Sequence, residues 1–366
     1  MTVPKNLINE LEDAISHKDI ARRAETLRRL TDLFVLGSAK FTGEQIALFD
    51  DVMRRLLDEV ETSARAAFGH RLAMIPNAPP KVMRELALDN AIEVAGPVLM
   101  HFELIDDSTL VESAKTKSQD HLLAISRRKL ITENVTDVLV ERGNQQVALS
   151  TVGNPGAMFS KFGYSTLVRR SQDDDKLALC VWSRPEIPRQ HLLKLFADAS
   201  EAVRLALEAT DRRKAKLIRE MVAQASNQIQ TVAREGSTGY AAAHSYVQSL
   251  HKSGKLNETQ LAAFAQAGKF DETAVALSIM CDLPIGLVER AFVQNWSEQL
   301  LVLAKAIDLS WGTTKTILLL QSGTKETSTP ELEQYFASFT RLQPETAKKA
   351  VQFYRLREQA TMPVSY

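Results

Sequence analysis

The chain has 366 residues, 45% of them hydrophobic and 25% charged, which is too apolar for disorder and long enough for two domains or one elongated repeat array. Its 45 basic side chains balance 45 acidic ones at a pI near 7.1, so the basic excess of a dedicated duplex binder is missing. Two cysteines, Cys180 and Cys281, are too few for a disulfide framework and too widely spaced for a zinc site, and they read as reduced thiols.

Glycine and proline are scarce, at 15 and 12, beside abundant Ala and Leu, so the composition leans toward helix. The N-terminus, MTVPKNLINELEDAISHKD, is charged and lacks an apolar signal core. No window approaches the roughly 18 uninterrupted apolar residues of a membrane span. A cytoplasmic protein with no membrane partner is expected.

Helical spacing begins at Leu7, Leu11, Ala14 and Ile15 and resumes at Leu27, Leu30, Leu33 and Phe34. A longer helix, opened by Thr42, Gly43 and Glu44, carries Ile46, Phe49, Met53, Leu56 and Leu57. Pro76, Pro79 and Pro80 then interrupt the pattern, and the first boundary is placed there. Beyond it, first helices of successive hairpins are predicted to begin near Ile92, Ser118, Gln145 and Asp173. The turns inside those pairs fall at Leu104–Ile105–Asp106, Leu130–Ile131–Thr132, Gly153–Asn154–Pro155 and Glu186–Ile187–Pro188. A recurrence of about 26 to 28 residues fits two three-turn helices and their turns, the unit of an α-solenoid.

The pattern recurs 96 positions later, where Asp175, Glu186, Pro188 and Phe196 meet Asp271, Asp282, Pro284 and Phe292. Each block reads as helix, acidic–aliphatic–proline turn, helix, with the proline opening the second helix and the acid as its cap. Between the blocks, residues 197–235 contain neither proline nor glycine, and Ile218, Met221, Val222, Ala225, Ile229 and Val232 form a stripe. A single long connecting helix is the simplest reading, and a dimerising helix pair is the alternative. Further helices are expected to about Ala360, with a polar loop at Ser322–Thr329 and a frayed tail after Met362. The expected architecture is all-α, a HEAT-like α-α superhelix. It divides into an N-terminal helical segment (1–75), a helical-repeat domain (80–196), a long connecting helix (197–235) and a second repeat region (240–360).

No phosphate-binding glycine loop and no nucleophile elbow occurs, and none of the seven histidines has metal-ligand spacing. No cofactor, metal or catalytic residue is therefore assigned. Asp173–Asp174–Asp175 reads as a solvated helix start. The stretch from His121 to Leu195 contains Leu123–Ala124–Ile125–Ser126–Arg127–Arg128, Asn154–Pro155–Gly156–Ala157, Gly163–Tyr164–Ser165–Thr166 and Arg184–Pro185–Glu186–Ile187–Pro188. With Gly96–Pro97–Val98–Leu99 upstream and Ser310–Trp311 downstream, it resembles the domain-of-unknown-function 2336 family of alphaproteobacterial helical-repeat proteins. The resemblance runs from residue 80 through most of the chain, with Glu186 where the family pattern leads one to expect Asp. It implies a helical-repeat fold in a bacterial cytoplasm and supplies no activity.

Read physically, Gly143 ends a helix in a left-handed conformation, and Asn154 stops one and bonds its turn. Six arginines, Arg127, Arg128, Arg142, Arg169, Arg170 and Arg184, lie near helix ends of successive repeats. Aligned along one edge, they form a candidate interaction surface for an acidic or phosphorylated partner. The plainer reading has them cap helix C-termini and pair with Glu133, Asp137, Glu141 and Asp173. Residues 256–346 are acid-rich by contrast. The leading expectation is a non-enzymatic protein-interaction scaffold or regulatory adaptor with an unidentified protein partner, or a homodimer. Nucleic-acid binding along the arginine edge is the first alternative, disfavoured by the neutral pI, and an enzyme with a scattered site is the second.

Overall fold

The computed structural model describes residues 20–361 apart from 58, 59, 211, 295, 296 and 323–328. The apolar face expected at Leu7–Ile15, the interior of the loop between Ser322 and Thr329, and the tail after Met362 lie outside the described residues. Within them every regular element is helical, and there is no strand, only an isolated bridge between Ile131 and Ala157. The chain divides into two compact units, Met1–Arg184 and Pro185–Tyr366.

Unit 1 holds α1 (Ile20–Gly37), α2 (Gly43–Leu57), α3 (Thr62–Leu72), α4 (Pro80–Ala87), α5 (Ile92–His101) and α6 (Asp107–Thr116). It continues with α7 (Gln119–Ser126), α8 (Glu133–Arg142), α9 (Gln145–Gly153), α10 (Lys161–Arg170) and α11 (Asp175–Trp182). The odd helices from α3 to α11 pack each on the next, the even ones from α4 to α10 do the same, and most consecutive helices, α5 with α6 and α9 with α10 excepted, join the two rows. The starts of α5, α7, α9 and α11 fall within two residues of those expected from periodicity. Side-chain oxygens of Asp106, Asn144, Ser160 and Asp174 cap α6, α9, α10 and α11.

The boundary expected at residues 76–80 is not where the chain divides. Pro80 occupies the first position of α4, and the buried Asp50 carboxylate of α2 accepts from the Lys81 and Val82 amides at 3.1 and 2.8 Å. Helix α3 also packs against α5 across the proline segment. The prolines end a helix without ending a domain, because a remote carboxylate serves the helix that follows.

Unit 2 contains α12 (Arg189–Thr210), α13 (Ala215–Glu235), α14 (Thr238–Lys252), α15 (Glu258–Gln266) and α16 (Phe270–Cys281). After these come α17 (Ile285–Val293), α18 (Ser297–Ala306), α19 (Trp311–Ser322), α20 (Thr329–Arg341) and α21 (Pro344–Thr361). Its core runs from Leu193 and Val247 through Phe270, Phe292 and Leu301 to Val351. The single helix expected through 197–235 is instead a hairpin. A short 3-10 turn at Arg212–Lys214 sends α13 back along α12, and Arg219 meets Glu208 at 3.0 Å. The polar run from Glu208 to Lys214 breaks the apolar stripe, and reversal lets Ile218 and Val222 pack where a straight helix leaves them bare.

Pro188 and Pro284 do open second helices, their carbonyls accepting the first helical amides of α12 and α17. The acidic residue of that turn acts differently from expectation. Asp282 adopts a left-handed conformation (φ 50°) that closes α16, and its carboxylate meets Arg355 at 3.0 Å rather than capping α17. No helix among the described residues is long and apolar enough to cross a membrane.

Both cysteines are free, Cys281 buried and Cys180 partly exposed. Burial pushes the Cys281 thiol up to about 12. Iodoacetamide at pH 8 is therefore expected to leave Cys281 unmodified in the folded protein and to alkylate it in denaturant, read by peptide mass spectrometry. Labelling of Cys281 at the rate of the unfolded chain would contradict the packing of α16.

Candidate interaction surfaces

A helix ends with four carbonyls lacking intrahelical partners and with the negative end of its dipole. In unit 1 segments later in the chain supply several of those partners. Arg128 donates from Nη1 to Leu99 O (2.6 Å) and from Nη2 to Phe102 O (2.8 Å), at the end of α5. Two helices on, Asn154 donates from Nδ2 to Ser126 O (2.9 Å) and Arg128 O (2.6 Å), at the end of α7. Arg184 then donates to Asn154 O and Ala157 O, both at 2.7 Å, beyond the end of α9. Its guanidinium also lies 5.1 Å from the centroid of the Phe159 ring.

A parallel series runs along the other ends of the helices. There Arg142 donates to Ala114 O and Arg170 to Val140 O, closing α6 and α8. Burial lowers the Arg128 guanidinium from its ordinary value, opposed by Asp107 and Glu103, and burial lowers Arg170 likewise.

The six arginines thus do not share one edge. Arg127, Arg128 and Arg184 lie where first helices end, and Arg142, Arg169 and Arg170 where second helices end. Arg127 and Arg169 are exposed, while the other four hold carbonyls. The capping reading therefore describes those four, with carbonyl partners. Asp137, one of the carboxylates expected to pair with them, accepts from Ser160 at 2.7 Å instead.

Other signature residues also have packing roles. Asn154 Oδ1 accepts from the Gly156 amide at 2.8 Å, as expected of a residue that stops a helix. A Cβ on Gly156 would lie 1.8 Å from Lys129 O, because its strand-like turn presses against the preceding one through Ile131 N to Gly156 O (3.0 Å) and Met158 N to Ile131 O (2.9 Å). Gly143 is not left-handed, with φ −64° and ψ 144°. It is glycine because a Cβ would sit 2.4 Å from Leu139 O and 2.5 Å from Val147 Cγ1.

The turn edge carries a feature that charge-centred reading missed. Met74, Leu104, Leu130 and Met158 are 66, 71, 70 and 51% exposed, and each follows the end of an odd-numbered helix from α3 to α9. The next residue turns inward in each case: Ile75 is half-buried, and Ile105, Ile131 and Phe159 are buried. The signal in the sequence is the recurring pair of large apolar residues at spacings of 26 to 30.

Unit 2 offers a second surface. Arg189, the first residue of α12, and Arg234, near the end of α13, both reach Glu289 of α17, which is 1% exposed. Arg189 also pairs with Asp271 and lies 4.7 Å from the centroid of the Tyr240 ring. Burial raises the Asp271 carboxyl, which Arg189 pulls back down. One carboxylate therefore gathers both ends of the hairpin. Farther out, from Asp198 to Ile229, no described side chain is buried.

No group of three or more His, Cys, Asp or Glu suited to a metal occurs among the described residues. His121 is a buried histidine with both ring nitrogens engaged, Nδ1 by Ser118 and Nε2 by Asp89 O. Asp174 of the triple-aspartate run is held below the usual carboxylate range by the Leu177 amide and Gln145.

Two substitutions test the helix-end and hairpin-base contacts by chemical unfolding. Arg184→Met takes the side-chain donor from the Val152, Asn154 and Ala157 carbonyls and is expected to lower the stability of unit 1 by about 2–4 kcal/mol. Arg127→Ala should change it little, and equal effects would refute the assignment of roles. Glu289→Gln leaves two enclosed arginines facing a neutral amide and should cost unit 2 about 3–5 kcal/mol; an unchanged midpoint would mean that the hairpin is not held there.

No curated protein and no solved structure matches the chain. A family model does match, over residues 94–352, described as an uncharacterised protein conserved in bacteria. That stretch takes in the carbonyl-capping arginines, the hairpin and most of unit 2, and by it the chain belongs to the DUF2336 family.

Proposed function

We propose that the protein is a non-catalytic interaction scaffold or adaptor. In this reading unit 1 is a HEAT-like α-solenoid that docks a protein partner along the edge bearing Met74, Leu104, Leu130 and Met158. The observation that carries the proposal is the recurrence of these exposed side chains at equivalent turns. Folding gains nothing from a leucine left 70% exposed, and a polar residue would serve the turn equally well. Stacked helices lie roughly 8–10 Å apart, so the edge presents an apolar group at about that interval. An amphipathic helix with an apolar residue at every seventh position repeats every ~10.5 Å and is the partner that fits.

The nucleic-acid alternative is weaker because Arg128, Arg142, Arg170 and Arg184 are engaged with carbonyls, and Arg127 and Arg169 lie on different edges. The setting proposed is the bacterial cytoplasm, where Cys180 and Cys281 stay reduced.

The test is affinity capture of the tagged full chain from native extract, with and without nuclease, beside the Leu104→Glu/Leu130→Glu and Arg127→Glu/Arg169→Glu variants. A nuclease-resistant partner lost only with the leucine pair is the expected result. Retention by the leucine variant would overturn the docking edge, and recovery of nucleic acid lost with the arginine pair would favour the alternative.

A further inference from the structure

The α12–α13 hairpin leaves Val203, Leu207, Leu217, Met221, Ile229 and Val232 each at least 41% exposed. Their positions are not scattered. In α12 the stripe that faces inward is Leu193, Ala197, Ser200 and Arg204, and in α13 it is Ile218, Val222, Ser226 and Gln230. At roughly 100° per residue, the exposed apolar stripe lies about 100° round each helix from that inner stripe, in the same rotational sense. In two antiparallel helices the same sense places both stripes on one side of the hairpin. Leu205, also exposed, falls on the opposite side.

We propose that this face is a dimerisation surface and that its occupant is the same face of a second copy, closing a four-helix bundle. Three observations select a second copy. First, a face that packs on itself is best without charge to repel its image, and these stripes hold aliphatic side chains, alanines, Thr210, Gln224 and Gln228, with Glu235 on them at the base of the hairpin, at the end of α13. The charged residues Glu201, Lys216 and Glu220 lie on the other side by the same helical count. Second, the spacing is that of a helix-pairing seam: Ala199, Val203, Ala206 and Thr210 alternate at four and three, as do Met221, Ala225, Gln228 and Val232 at four, three and four. The alanines permit close approach of helix axes. Third, the six large side chains with Ala199, Ala206 and Ala225 present on the order of 600 Å² of apolar surface, near the roughly 800 Å² per partner of a standard interface.

The base of the hairpin is suited to this role. Glu289 holds Arg189 and Arg234, and Asn227 accepts from Arg290 at 2.8 Å, so both helices are tied to α17 near the base of the hairpin. Two helices alone cannot enclose a core, and no described side chain from Asp198 to Ile229 is buried to stabilise the hairpin. A second hairpin supplies the missing layers. The inference is independent of the docking edge on unit 1.

Sedimentation equilibrium of the full chain tests it. A mass of twice 40.7 kDa at micromolar concentration is expected, with an unfolding temperature that rises with concentration. Val203→Glu/Met221→Glu should weaken self-association on the order of 100-fold or more, with helical circular dichroism retained. Leu205→Glu, on the opposite side, should remain dimeric. Should the double variant lose helicity, Val203→Ser and Val232→Ser, which introduce no charge, must each weaken association. A wild-type monomer at 50 µM, taken as roughly the range of stable assemblies, would overturn the proposal, as would a dimer unaffected by these variants. A monomer that binds vesicles of anionic phospholipid through Val203 and Met221 would overturn it in favour of a membrane surface.

Discussion

The architecture of unit 1 depends on the partnering of helix-end carbonyls. Its helices from α4 to α11 are eight to ten residues long, so close to half of the carbonyls in each belong to the last turn and have no intrahelical amide. Long helices dilute this cost; short ones multiply it. An array of short helices holds together only where neighbouring segments satisfy the ends, and Arg128, Asn154 and Arg184 on one edge, with Arg142 and Arg170 on the other, do so. A cation suits the site on two counts, since it donates several hydrogen bonds and sits at the negative pole of the helix.

Much of this was legible in the sequence, though not its wiring. The repeat spacing gave the starts of α5, α7, α9 and α11 because each hairpin must return its apolar face to the same row. The arginines stood out, but whether each sits on the edge of first or of second helices depends on one or two residues of helix length, which periodicity does not resolve. Asn154 looked like a local helix stop, and it also bonds the carbonyls of Ser126 and Arg128 at the end of α7. Glu289 was invisible, since its partners lie 100 and 55 positions away and a lone glutamate in an apolar helix carries no motif. The break between α12 and α13 was written in the charged run at 208–214, yet a charged run fits a solvated helix face as well as a turn.

The two units solve their polar problems differently. Unit 1 sets Arg128, Arg142, Arg170 and Arg184 singly against backbone carbonyls at separate helix ends, whereas unit 2 gathers Arg189, Arg234, Asp271 and Glu289 into a single enclosed cluster. Such a cluster contributes less to net stability than apolar residues of the same volume, because the desolvation of four charges offsets most of the attraction. What it fixes is geometry: only one placement of the hairpin ends satisfies both arginines. The hairpin therefore leaves α17 in a direction set by its base.

Arg128, Arg142, Asn154, Arg170 and Arg184 of unit 1 reach backward along the chain, by 25 to 32 residues, to carbonyls already placed, while Gln119 reaches forward to Arg142 O at the end of α8. The array accordingly has a polarity that its two rows of helices do not reveal. As the chain leaves the ribosome, each helix end stays open to water only until the next thirty or so residues follow, and each arrival seals the one before it. Growth from the N-terminus lets these five backward contacts form on helix ends already made. Assembly begun from the other end would hold arginines in place with nothing yet to receive them, so the direction of synthesis and the direction of closure coincide.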